Sequence, residues 1–412
     1  MSERTELFQR LARVRREGTP GAVPPASQAR AAGIPAGLER VEGDCGGFAA
    51  RVRRFATSDR HGTFALGEIG AASAHDLAFL CRDERLLALD LSRAVFLDIE
   101  TTGLSGGAGT IPFLVALGSF TEQGFALWQG FLCGPEEERA LLAEVARRLR
   151  AASGVVSFFG KTFDRHRLED KMRIHGIAPP FDALPHLDLY HPCARLYRGA
   201  LGDGRLATFE RVLCGVERED DLAGSFAPEA WFDFLAGRAH RLERVFLHNE
   251  RDVLSLVVLA AHLGRTLEER RADGSELGGP GAARAAALAK LLAAEGEHQE
   301  ALTWAERAFE RAASRVRGLE FLRAGLKLRL GRSDEALGEF ERIAAGERDE
   351  LALRALIEIA KLCEHELGDR ERAVAVVECA RDLAPVVLVG GARERALAAL
   401  DRRGVRLRKG RA

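Results

Sequence analysis

The chain lacks paired cysteines. Its seven cysteines (Cys45, Cys81, Cys133, Cys193, Cys214, Cys363 and Cys379) are an odd, dispersed set with no C-x-x-C among them. Such a set fits reduced thiols in a cytoplasm better than a disulfide framework or a zinc knuckle. Also missing is any uninterrupted apolar run of about 18 residues, so no membrane span is expected. Residues 1–18 are charged and lack the apolar stretch of a secretory signal. Nor is there a net charge of either sign: 60 Lys and Arg stand against 61 Asp and Glu, a formal −1. Attraction to a polyanion would have to come from local basic patches. The expectation is a soluble cytoplasmic protein without a membrane partner.

What is present is globular text, 47% hydrophobic and 29% charged, in a chain of 412 residues that calls for more than one domain. Residues 1–60 read as a poorly patterned arm, rich in Gly, Pro and Ala over 18–37. From Ala94 the pattern sharpens. Ala94-Val95-Phe96-Leu97-Asp98-Ile99-Glu100 predicts a buried strand ending in acids. A glycine-dense turn follows, then strand-like runs at 111–117 and 125–132, an antiparallel meander. Glu136, Glu137 and Glu138 open a helix that closes on Arg147, Arg148 and Arg150, matching the helix dipole at both ends. Val155 to Phe159 predicts a fourth strand and 163–175 another helix. Residues 206–262 read as mostly helical, and 266–281 as a linker punctuated by Gly274, Gly278, Gly279, Pro280 and Gly281.

Beyond it lies a repeat. Gly296, Gly331 and Gly368 recur 35 and 37 residues apart in Ala-rich helical text, in step with Glu300-Ala301, Glu335-Ala336 and Arg372-Ala373. A period near 34 with glycine between two helices resembles tetratricopeptide repeats. About three units over 282–390 are near the minimum for a self-supporting stack, with a protein or peptide partner in its groove as one use. Residues 391–412 read as a basic, solvated tail.

Three elements carry chemistry. Asp98 and Glu100, at i and i+2 on a strand, share one face about 6.6 Å apart. Two carboxylates ending an apolar strand repel each other unless a cation sits between them, and oxygen donors suit Mg²⁺ or Mn²⁺. The plain alternative is two acids in a solvated loop. Asp164 falls in the first turn of a helix, where any acid is favoured by the dipole. In His248-Asn249-Glu250-Arg251-Asp252, His248 and Asp252 lie one helical turn apart, so the histidine could take a proton from water beside a metal-binding Asp252, or simply pair with it. Lys161 and Arg165, with Arg167, Lys171 and Arg173, could steer a nucleic-acid backbone or form a solvated face. Asp188, His186 and His191 read as structural.

Together, "DIETTGLSGGAGTIPFLVALG", "FFGKTFDRHRLE", "LDLYHPCARLYR", "LATFERVLCGV" and "HNERDVLSL" resemble the YprB-type ribonuclease H-like proteins of the Asp-Glu-Asp-Asp (DEDD) 3′–5′ exonuclease superfamily. The likeness covers residues 60–265 or so. It implies an α/β ribonuclease H-like domain over 61–265, a mixed five-stranded sheet with flanking helices, ahead of the all-α tetratricopeptide-like domain. It further implies 3′–5′ hydrolysis of single-stranded DNA or RNA ends with two Mg²⁺ or Mn²⁺ ions held by Asp98, Glu100, Asp164 and Asp252. His248 would be the base, and Thr101, Thr102, Lys161 and Arg165 the substrate contacts. Two positions depart from the superfamily pattern. His248 stands four residues before the last acid, where tyrosine is usual, and Phe159 stands where asparagine is common. A non-catalytic binding scaffold and a ribonuclease H-type endonuclease are the alternatives.

Overall fold

The computed structural model describes residues 34–103, 109–219, 224–267, 280–312 and 316–409. They divide into two compact units. One runs through His191 and resumes at Phe209; the other holds Pro192–Thr208 and the C-terminal helices.

In chain order, β1 (Glu39–Gly43) and β2 (Gly46–Phe55) form one hairpin, β3 (Arg60–His61) and β4 (Phe64–Ala65) another. Helix α1 (Ala74–Cys81) precedes β5 (Val95–Thr101), β6 (Pro112–Thr121) and β7 (Gly124–Phe131). Then come α2 (Glu138–Arg150), β8 (Val155–Ser157), α3 (Asp164–Ile174), β9 (His186–Asp188), α4 (Tyr190–Tyr197), α5 (Leu206–Cys214), α6 (Ala227–Leu235) and α7 (Leu242–Gly264). Among the described residues the main sheet runs β1-β2-β7-β6-β5-β8-β9. β5 is antiparallel to β6 and parallel to β8, so the sheet is mixed.

It has seven strands where five were expected. Residues 39–55, read as part of a loose arm, extend the sheet, β2 pairing with β7 from Ala49↔Phe131 to Phe55↔Phe125. The strand escapes a periodicity search because its buried residues are a continuous Gly47-Phe48-Ala49-Ala50, followed by exposed arginines rather than an alternation. Residues 104–108 of the glycine-dense turn, including Leu104, lie outside the described residues.

Leu141, Leu142, Val145 and Leu149 of α2 are fully buried, each worth about 1.5–3 kcal/mol of burial. Phe113 of β6 stacks on Trp231 of α6 at 5.4 Å, and the indole N–H donates to the Leu132 carbonyl at 2.9 Å. Every residue of α7 from Val253 on is buried. A helix apolar all round must be enclosed, and this one packs on β5 and β6. That packing holds the N-terminal half of α7 over the acid-bearing strand.

The second unit continues with α8 (Gly281–Ala294), α9 (His298–Arg311), α10 (Arg317–Arg329), α11 (Ser333–Ala344), α12 (Glu350–His365), α13 (Arg370–Val387) and α14 (Gly390–Lys409). Successive helices pack on one another around Ala324, Phe340, Ile343, Ile359 and Val377. Gly296, Gly331 and Gly368 follow the first helix of each pair at φ of 87°, 76° and 64°, a conformation that glycine alone adopts cheaply. The solvated basic tail is corrected to a helix as far as Lys409. Leu400 and Leu407 of α14 are buried, Arg403 and Arg406 both pair with Glu364, and Arg408 with Glu378. Three of its basic side chains are thus paired within the unit, which leaves it as a closing helix. Among the described residues no helix is long and apolar enough to cross a membrane.

Candidate active site

Strand alternation puts Val95, Leu97 and Ile99 of β5 into the core and turns Asp98 and Glu100 together to the other face, both half-buried. The strand is central, flanked by β6 and β8, so these acids sit mid-sheet rather than at an edge. Asp164, in the first turn of α3, is buried, and α7 brings Asp252. The four carboxylates feel one another. Asp98 is held well above the usual carboxylate range, first by burial and then by Asp252, Asp164 and Glu100, against the hydrogen bond from Asn249. Asp164 is pushed up to about 8 by burial, then by Asp188 and Asp252, with Arg167 opposing. The charges of Asp252, Asp164 and Glu100 thus all bear on Asp98, and that of Asp252 on Asp164.

Residues 95–264 match the RNase H superfamily. The span runs from β5 to the end of α7 and contains all four acids. The chain is also similar to the uncharacterized protein YprB of Bacillus subtilis (strain 168), 28% identical over 325 residues, which is 78% of this chain and 77% of that protein. The similarity therefore extends past the residues that match the RNase H superfamily.

Within the matched span, two of the carboxylates, Asp98 and Asp252, have a side-chain partner of their own. Asn249 Nδ2 donates to Asp98 Oδ2 at 2.6 Å, and its own Oδ1 accepts from Gln129 Nε2 at 2.8 Å. Gln129 is in turn held by Arg51 Nε at 2.8 Å, which links β2 to the site. Arg218 Nη2 donates to Asp252 Oδ1 at 2.5 Å, and His248 Nε2 lies 3.7 Å from Asp252 Oδ2. As the side chains stand, no three of the described His, Cys, Asp or Glu residues form a ready metal cage. The donor chemistry nonetheless fits a divalent cation: the set is all oxygen, and the neighbouring acids disfavour the charges of Asp98 and Asp164.

Asp188 organises the approach to Asp164. Its Oδ1 accepts the Phe159 and Tyr190 N–H groups at 2.7 and 3.1 Å, and its Oδ2 the Lys161 N–H at 3.0 Å. This clamp holds Phe159 at φ 60° with its ring 44% exposed, a costly conformation for a bulky residue. A Cβ on Gly160 would stand 2.3 Å from Ser157 Oγ and 2.9 Å from Asp164 Oδ2, so only glycine lets this loop lie against the acid. His186 bonds Ser157 at 2.7 Å and is driven down to about 3, chiefly by burial, so it is neutral.

The four expected substrate contacts each make bonds within the protein. Thr101 Oγ1 donates to the Gly103 carbonyl at 2.9 Å, and Thr102 Oγ1 accepts from the Ile111 N–H at 3.0 Å, together closing the loop between β5 and β6. Lys161 Nζ reaches Asp83 at 3.2 Å. Arg165 pairs with Glu169 and Asp182 and lies over Phe181. Lys171 and Arg173 are likewise engaged with Glu138 and Glu169. Arg218, Glu210, Gln129 and Asn249 were missed as site residues. Only Gln129 carried a local signal, a lone amide in the apolar strand Phe125 to Phe131.

Proposed function

We propose that the RNase H superfamily domain is a metal-dependent 3′–5′ exonuclease acting on the phosphodiester bonds of single-stranded DNA or RNA ends. The observation that supports this is that Asp98 is held up by Asp252, Asp164 and Glu100, and Asp164 by Asp252, beyond what burial does to each. A scaffold has no reason to bear that cost. Phosphodiester hydrolysis is the activity that a domain of this superfamily suggests, and Mg²⁺ or Mn²⁺ is the cofactor that these oxygens fit. Asp98, Glu100 and Asp252 would hold one ion, and Asp98 with Asp164 would serve the second.

When bound, such a pair of ions supplies Lewis-acid stabilisation to the attacking and leaving oxygens of an in-line displacement. The rest is the work of side chains. Asn249 keeps the Asp98 carboxylate from rotating, and the Asp188 clamp fixes the turn that presents Asp164. His248, with Nδ1 facing Arg218 at 3.4 Å and Nε2 toward Asp252, is the group that would accept a proton from the attacking water. The helix pairs after residue 280 are read as tetratricopeptide-like repeats, supported by their positive-φ glycines, with a protein or peptide segment as partner.

The test uses end-labelled single strands, circular strands and RNA–DNA hybrids with Mg²⁺, Mn²⁺ or EDTA, beside Asp98→Ala. Metal-dependent shortening from the 3′ end, absent on circles and in the variant, is the expected result. Cutting of circles or hybrid interiors would instead indicate an endonuclease, and no cleavage at all a binding role.

A further inference from the structure

Arg218 deepens this reading and rests on it. Its side chain is 9% exposed, and it faces two acids at once. Nε and Nη2 grip both oxygens of Glu210, which is fully buried, while Nη2 also donates to Asp252 Oδ1 at 2.5 Å and Nη1 approaches His248 Nδ1 at 3.4 Å. Glu210 is itself anchored. Ser255 Oγ donates to it and accepts from His61 Nε2 at 2.8 Å. His61 is lowered to about 4 by burial, then by Arg218 and Arg251, so it is neutral and adds no second cation. The β3–β4 hairpin, α5 and α7 thus combine to plant one guanidinium against the last acid of the cluster. Nothing in the four-acid pattern calls for it.

We propose that Arg218 is the built-in counter-ion of the acid cluster: it holds the Asp252 oxygen that a divalent cation has to take, and so sets how tightly the cluster binds metal. A guanidinium and a divalent ion cannot both sit at contact distance from one carboxylate oxygen without a Coulomb cost. Glu210 limits that cost by drawing the arginine back, because its two hydrogen bonds compete with Asp252 for the same fork. Without metal, Arg218 holds Asp252 aimed into the site; on loading, it yields toward Glu210. Arg218 acts through Asp252 and is a positioning residue.

The pair makes predictions of opposite sign. Mn²⁺ binding to the full chain is measured by calorimetry and by the paramagnetic signal of the free ion, with no nucleic acid present. Arg218→Gln removes the competing charge and should tighten binding about tenfold. Glu210→Gln weakens the pull that draws the arginine back from Asp252 and should weaken binding by a similar factor. Simple damage to the fold would weaken both. Arg218→Lys keeps the charge and should bind close to wild type, and it carries the test with Glu210→Gln if Arg218→Gln does not fold. Equal binding in the folded variants, or weakening in both, overturns the inference while leaving the metal reading intact. A wild-type chain that binds no Mn²⁺ overturns both.

Discussion

Asp164→Asn should make the metal-free protein more stable, by an amount that depends on pH. The wild-type carboxyl loses its proton near 3.8 in the unfolded chain and near 8 in the folded one. Between those values the unfolded state binds fewer protons, so the Asp164 contribution falls as pH rises through the window and is flat above it. At roughly 1.4 kcal/mol per unit, keeping this group in place at pH 7 costs about 4 kcal/mol. An amide is itself polar and is not free to bury, so the isosteric change should recover about half, near 2 kcal/mol, or about 5 °C in Tm. His61 and His186, whose lowered proton affinities make stability rise with pH below about 6.5, act in the opposite direction in both proteins. They cancel in the difference between variant and wild type. The assay is thermal and urea unfolding in EDTA from pH 4 to 8.5. The stabilisation should be near zero at pH 4 and grow to its full value by pH 8. A difference that does not change with pH, or a variant less stable at pH 8, would refute the reasoning that Asp164 sits in an undercompensated cluster.

Three further outcomes are expected. Asn249→Ala removes the donor to Asp98 and the acceptor for Gln129, which should cost about 1–3 kcal/mol in denaturant unfolding and lower any metal-dependent nuclease activity more than it lowers substrate binding. Phe159→Asn suits the φ of 60° and should stabilise by about 1 kcal/mol; a lower Tm would mean that the ring's contacts outweigh its backbone cost. Truncation after Val389 strips α14 from the core that holds Leu400 and Leu407 and leaves Glu364 without Arg403 and Arg406. The shortened chain should lose the upper part of its thermal transition and aggregate, whereas an unchanged melting curve would show that the last helix contributes nothing.

Much of the fold was legible because its signals are local. The meander, the helix with acids first and arginines last, and the repeating glycines each occupy a short window of text, and β5, β6, β7, α2 and the C-terminal helix pairs follow them. The misses have local causes too. β2 hides because its arginines follow an unbroken buried run. The last helix reads as a charged tail because Arg403 and Arg406 answer Glu364, which no local window contains.

What the sequence by itself determined is the identity and spacing of the acids and the periodicities that make strands and helices, since these depend on neighbours within a few positions. What only tertiary structure decided is which charge meets which. Asn249 reaches Asp98 across 151 positions, Arg218 lands on Asp252, and Thr101, Thr102, Lys161 and Arg165 bind within the protein. A hydrogen bond or ion pair acts over a few ångströms, and that proximity is created by packing the buried half of α7 onto β5 and β6, not by the order of residues along the chain.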